Sequence, residues 1–171
     1  MRPRHHGGAQ AVLARDDMGF ELDITDRKIW EVLQKNGRIT NAELSEQVNL
    51  SASSCHRRIT RLEQEGIIRD YVALVDHRAI GRMTTVFVEI SLSGQADEVL
   101  QAFEQAVKRV PDVLECHLMA GSADYLLKVV ARDSEDFARV HREYLARLPG
   151  VSKMQSSFAL KNVFSTTALP I

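Results

Sequence analysis

The sequence predicts an α+β protein in two parts, a small helical domain followed by a βαββαβ domain. Two observations predict it. Between Asp26 and Gln64 apolar side chains recur at helical spacing and are punctuated by capping signals. From Thr85 onward the pattern becomes strict alternation, interleaved with two further helical stripes. With 171 residues and 44% hydrophobic content, the chain can bury two modest cores.

The first helix is expected over Asp26 to Asn36, with Ile29, Trp30 and Leu33 inward and Asn36-Gly37 as its stop. Trp30, the only tryptophan, reads as a core anchor. Thr40 and Glu43 then form T-x-x-E, a capping box that satisfies two orphan amides reciprocally. Leu44 and Val48 lie one turn apart, and Asn49 suits a left-handed turn residue. Ser51 can cap the next helix, expected over Ala52 to Gln64.

That helix has two chemically distinct faces. Cys55, Ile59 and Leu62 form an apolar stripe, and Ser53, Arg57, Thr60 and Arg61 lie opposite it. Ser54 and His56 flank the polar face, and Arg58 sits on the shoulder near Leu62. No acidic residue falls between Ser51 and Leu62 to repel a phosphate. Arginine donates paired hydrogen bonds to phosphate or guanine, and hydroxyls bond either with little selectivity. A basic helix face is commonly just solvated. The capped helix and tight turn before it favour a helix-turn-helix that sets a rigid helix into the major groove of double-stranded DNA. The candidate contacts are Ser51, Ser53, Ser54, His56, Arg57, Arg58, Thr60 and Arg61. Glu65-Gly66 ends the helix, and Ile67, Ile68 and Tyr71 to Val75 are expected to form a short strand pair, a wing.

The second half begins after a linker at 76–83. Val86, Val88, Ile90 and Leu92 alternate with polar neighbours as a strand, and Ala96 to Val110 forms a helix. Strands follow at Val113 to Ala120 and Asp124 to Ala131, joined by Gly121-Ser122-Ala123. Ser134 is expected to cap a helix with Phe137, Val140, Tyr144, Leu145 and Leu148 inward. Pro149-Gly150 ends it, and the last strand is expected from Val151 to about Phe164. This order is the ferredoxin-like plan, with both helices on one sheet face. The other face is expected to be bare and apolar in alternation, a surface for a second copy of the chain. The boundaries read as a disordered tail at 1–20 carrying His5-His6, a winged helix-turn-helix at 21–75, the linker, and the sheet domain at 84–171. Met18 offers an alternative start of translation.

Composition and motifs exclude several classes. A net charge of −1 argues against a purely electrostatic DNA coater. No apolar run approaches 18 residues, and Ala9 to Ala14 is too short for a secretory signal, so neither a membrane partner nor export is expected and the location reads as cytoplasmic. Cys55 and Cys116 lack metal-ligand spacing and are expected as buried free thiols. His117 adjoins Cys116 and Glu115, but strand neighbours face opposite ways, so no local Cys-His pair forms. No nucleophile elbow, phosphate loop or metal motif occurs, so no metal, no cofactor and no enzyme activity are expected.

Several motifs, in order across both domains, resemble the Lrp/AsnC (feast/famine) family of transcription regulators. They are Leu22-Asp23 before Asp26-Arg27, Gly37 through Ser45, Arg61-Leu62-Glu63 with Gly66-Ile67-Ile68, Glu115 through Gly121 with Asp124-Tyr125-Leu126-Leu127, Leu148 through Val151, and the Thr166 to Pro170 ending. Two departures stand out. Asn49 replaces the usual turn glycine, and Ala52 and Ser54 replace the prolines that usually open the recognition helix.

The resemblance implies a RAM-type second domain, dimers that join into octamers, and an amino-acid effector near the dimer contact. The residues it implies are Leu118, Met119, Ala120, Gly121, Ser122, Asp124, Tyr125, Ser157 and Phe158. In that reading Gly121 lets backbone amides approach a carboxylate, Asp124 faces the α-ammonium, and the apolar residues take the side chain. The function implied is effector-modulated, sequence-specific regulation of amino-acid metabolism. An architectural, nucleoid-type DNA binder of weak specificity is the alternative. An amino-acid-handling enzyme or its regulatory subunit is a distant third.

Overall fold

The computed structural model describes residues 23–170. The expected tail at 1–20, with its histidine pair, and Leu22 lie outside them. The chain divides into two compact units, one reaching to Val72 and including the closing residues from Thr166, the other Ala73–Ser165.

The helical unit holds α1 (Ile24–Lys35), α2 (Asn41–Gln47) and α3 (Ala52–Gln64). α1 begins earlier than its apolar stripe suggests, because Asp23 and Asp26 make a capping box of their own. The Asp26 amide donates to Asp23 Oδ1 at 2.8 Å. The Thr40–Glu43 box opens α2: the Thr40 amide donates to Glu43 Oε2 at 2.9 Å and the Glu43 amide to Thr40 Oγ1 at 3.2 Å. The Thr40 amide, and then the Thr40 hydroxyl donating to the same oxygen at 2.8 Å, hold the Glu43 carboxyl below its ordinary pKa. Asn49 takes φ 55°, the left-handed turn, and Ser51 caps α3 by accepting from the Ser54 amide at 3.3 Å.

Ile29, Leu44, Val48, Cys55 and Leu62 form the buried core of this unit. Trp30 is not among them. It is only half-buried, because one residue past Ile29 the helix has turned it about 100° from the core. The wing's strand pair is absent as well. The amides of Ile67 and Ile68 both donate to the Leu62 carbonyl, at 2.9 and 3.0 Å, around Gly66 at φ 69°. They close the end of α3 and are unavailable to a ladder. Tyr71 instead lies against Gly37 and donates from its hydroxyl to Glu63 Oε1 at 3.1 Å. Burial, with that carboxylate beside it, pushes its phenol up to about 12. At the chain's end, Gln34 on α1 accepts from the Leu169 amide at 2.6 Å and donates to its carbonyl at 3.2 Å.

The second unit runs β1 (Thr84–Leu92), α4 (Asp97–Val107), β2 (Val113–Leu118), β3 (Tyr125–Ala131), α5 (Ser134–Glu143), a 3₁₀ turn (Leu145–Arg147) and β4 (Val151–Phe158). The four strands are antiparallel in the order β2-β3-β1-β4. This is the βαββαβ plan. α5 is capped by Asp133, which accepts from the Asp136 amide at 2.8 Å, and not by Ser134. β4 ends at Phe158 for a plain reason: Phe158 pairs with Val86 near the start of β1, so beyond Ala159 there is no partner strand.

Val86, Val88 and Ile90 of β1 and Leu127 and Val129 of β3 are buried against Phe103, Val107, Phe137 and Val140. The Phe103 and Tyr125 rings stack at 4.5 Å. The opposite face is less apolar than alternation alone implies. Phe87 and Leu126 stand there among Glu89, Glu115, His117, Lys128, Lys153 and Gln155, and Glu115 Oε1 accepts from Lys128 Nζ at 2.7 Å. Cys116 is exposed, not buried, because β2 is an edge strand.

Gly150 is required where it stands. It has φ 75°, and a Cβ would come within 2.8 Å of Val99 Cγ1. Gly121 has no positive φ and nothing within 4 Å of a Cβ. Gly150→Ala is expected to lower unfolding free energy by about 2 kcal/mol or more, and Gly121→Ala to change it by less than about 0.5 kcal/mol. Denaturant titration of both variants measures the contrast, and equal midpoints would contradict it.

Candidate DNA interface and effector site

α3 presents a preset polar face. Cys55 and Leu62 are buried on one side, which turns Ser53 and Arg57 outward and leaves both exposed, with half-buried Thr60 beside them. Ser51, at the cap, holds a hydroxyl network, with 3.2 Å to Ser53 Oγ and 3.0 Å to Ser54 Oγ. The start of α3 is further pinned by Asn41, whose Nδ2 donates to the Ala52 carbonyl at 2.9 Å. His56 is exposed, and it also lines a cleft of about 200 Å³ with Leu33, Ile59 and Tyr71.

Arg58 and Arg61 stand apart from this group. Arg58 Nη1 donates to Asp23 Oδ2 at 2.6 Å and to Asp26 Oδ1 at 2.8 Å. Arg61 Nη2 donates to Asp26 Oδ2 at 2.5 Å. Asp26 is wholly buried, and the bonds to Asp23 and Asp26 raise the Arg58 guanidinium further above its ordinary value. The Asp23 carboxyl is held below its usual range, first by the Asp26 amide and then by Arg58. Ser53, Arg57 and Thr60 thus share one face, with Ser51 and Ser54 at its start and His56 on its flank, while Arg58 and Arg61 are tied to α1. The spacing i, i+3 of the two arginines was the available signal; their partners, more than thirty residues upstream, were not legible.

In the sheet unit, Met119, Ala120, Gly121 and Ser122 are exposed in the loop between β2 and β3. The loop's base is closed by the Met119 amide on the Asp124 carbonyl at 2.8 Å and the Asp124 amide on the Ile90 carbonyl at 2.9 Å. Among the described residues, the amides of Ala120, Gly121 and Ser122 have no protein partner. Asp124 already has structural work. Its Oδ2 accepts from the Leu92 amide at 2.7 Å and its Oδ1 from Gln95 Nε2 at 2.8 Å, joining the start of β3 to the end of β1.

Tyr125 is buried and faces α4, donating to Glu104 Oε1 at 2.8 Å; its phenol is raised by burial and by that carboxylate. Leu118 is exposed on the edge strand. Ser157 and Phe158 belong to a second location. Tyr125 pairs with Ile90 and Phe158 with Val86, so the two sets lie about 13 Å apart along β1 and on strands flanking it, about 10 Å across. Ser157 and Phe158 also face opposite ways: Phe158 packs edge-on against Phe137 at 5.3 Å, on the helix side.

Both halves of the chain match known protein families. Residues 22–69 match a family model described as winged helix-turn-helix DNA-binding, and residues 85–169 match the Lrp/AsnC ligand binding domain. The leucine-responsive regulatory protein of Escherichia coli strain K12 is 40% identical over 153 residues, covering 90% of this chain and 93% of that protein. The chain belongs to the Lrp/AsnC family. It is a DNA-binding transcription regulator with a ligand-binding domain.

Solved structures of transcription regulators superpose closely on this Lrp/AsnC member. A transcriptional regulator of Neisseria meningitidis in complex with L-Met gives TM-score 0.83 at 41% identity, covering 88% of this chain and 97% of that one. An AsnC family regulator from Agrobacterium tumefaciens gives TM-score 0.83 at 36% identity, covering 87% and 97%. Among the described residues of this Lrp/AsnC member, no helix is long and apolar enough to cross a membrane.

Proposed function

We propose that this chain regulates genes of amino-acid metabolism by binding specific DNA sites as dimers, and as octamers built from them, under the control of a small amino acid. The observation that carries the DNA reading is the outward face of α3, where Ser53 and Arg57 are exposed and the helix is fixed beneath by Cys55 and Leu62. Ser51, Ser54, His56 and Thr60 complete the contact set. Arg57 reads a base edge or a phosphate, and the hydroxyls set register on the backbone.

The effector is an α-amino acid. The free amides of the loop at Ala120–Ser122 suit its carboxylate, and Asp124 keeps acceptor capacity for its ammonium beyond the bonds to Leu92 and Gln95. Exposed Leu118 and Met119 suit an apolar side chain. The L-Met complex of the Neisseria relative makes methionine, with leucine, the first candidate. Ser157 and Phe158 are too far from the loop to touch the same ligand within one chain, so they serve it from another copy. Binding between copies favours one assembly over another and so alters DNA affinity.

Arg57→Ala is expected to weaken DNA binding at least tenfold and to reduce the slope of log affinity against log salt by about 1 per lost phosphate contact. Fluorescence anisotropy across a salt series measures both, and unchanged affinity would remove α3 from the interface. Equal affinity for every duplex would assign the chain to the architectural reading instead. L-Met or L-Leu at a hundredfold excess over Kd is expected to stabilise the native protein by about 2.7 kcal/mol. Asp124→Asn, which keeps an acceptor for the Leu92 amide but loses the charge, is expected to abolish that stabilisation while leaving unliganded DNA binding intact. A full thermal shift in Asp124→Asn would take Asp124 out of the site.

A further inference from the structure

We infer that Asp26 sets the specificity of DNA binding, by holding two arginines of the recognition helix away from phosphate. The inference rests on the reading of α3 as the DNA-reading helix. Arg58 and Arg61 lie one turn apart on the flank of α3 that meets the start of α1. Each donates to a different oxygen of the Asp26 carboxylate, Arg58 to Oδ1 at 2.8 Å and Arg61 to Oδ2 at 2.5 Å. Asp23 engages Arg58 a second time at 2.6 Å. The carboxylate of Asp26 has no contact with solvent, whereas the two arginine side chains are 27% and 45% exposed.

That asymmetry decides which partner holds the arginines. If both arginines left for phosphate, the buried carboxylate would keep only the Asp23 amide at 3.3 Å, and a buried charge without a counter-charge is strongly unfavourable. Among the described residues, Arg57 has no carboxylate partner. Non-specific affinity grows with each cation offered to the DNA backbone, whereas discrimination comes from base edges and DNA shape. Two arginines withheld from phosphate therefore lower affinity for every sequence alike and leave a larger share of the binding energy to the outward face of α3. Asp26 is a positioning residue; it need not touch DNA.

The test uses the full-length protein with two probes, a random-sequence duplex and the best duplex selected from a random pool by the wild-type protein. Affinity is read by anisotropy against salt, with thermal melts on every variant. Asp26→Asn is expected to bind the random duplex more tightly, to steepen its salt slope by about 0.9 for each arginine released, and to lower the ratio of selected to random affinity. Arg61→Gln, which leaves Arg58 on the carboxylate, is expected to leave the slope unchanged. Arg57→Gln is expected to flatten it by about 0.9. A folded Asp26→Asn with an unchanged or flatter slope would overturn the inference. So would Arg61→Gln flattening the slope as much as Arg57→Gln, and that comparison decides the matter if Asp26→Asn does not fold. Arg57→Gln with wild-type binding would instead overturn the DNA reading beneath it.

Discussion

The alternation of β1 is the constraint on which the sheet unit depends. Burying Val86, Val88, Ile90 and Leu92 under α4 and α5 forces Phe87, Glu89 and Ser91 onto the other face. β1 is also a central strand, pairing with β3 on one side and β4 on the other. Its register therefore fixes where both partners end. Asp124 is drawn to the Leu92 end of β1, and Phe158 falls opposite Val86. A one-residue slip would turn the whole buried set to solvent, so this arrangement has little freedom. The separation of the two candidate halves of the effector site follows directly from it.

The helical unit depends on a different kind of interaction. Three capped helix starts fix where each helix begins, and Asn49 fixes the turn between α2 and α3. The Asp26 carboxylate then ties α3 to α1 at the flank, while the apolar stripe ties it underneath. Apart from the ion-paired Arg58 and Arg61, the outward side of α3 carries one arginine, a histidine and several hydroxyls. A modest face of this kind suits discrimination better than strength, which fits a chain of net charge −1.

Most of this fold was legible in the sequence, because its signals are local. The Thr40–Glu43 box, the Ser51 cap, the left-handed Asn49 and the bounds of α3 each depend on residues within one turn. The differences from the expected pattern have local causes at some positions and distant ones at others. The amides of Ile67 and Ile68 close α3 and so form no wing ladder, and β4 stops where β1 runs out. Trp30 is carried off the core face by a single residue, and Cys116 is exposed because β2 is an edge. The site shows the same division. The position of Arg57 follows from helical periodicity, but the capture of Arg58 and Arg61 does not. The residues near Gly121 and Asp124 stand out only through the family resemblance, and only the strand register shows how far Ser157 and Phe158 lie from them.

On the proposed reading, one amino acid is held between copies of this chain. The most direct measurement is calorimetric titration of L-Met or L-Leu into the full-length protein at concentrations spanning its self-association, with sedimentation velocity on the same samples. Apparent ligand affinity is expected to rise as the protein associates, and saturating ligand to shift the sedimentation distribution. Equal affinity for dissociated single chains, with no change in sedimentation, would contradict it.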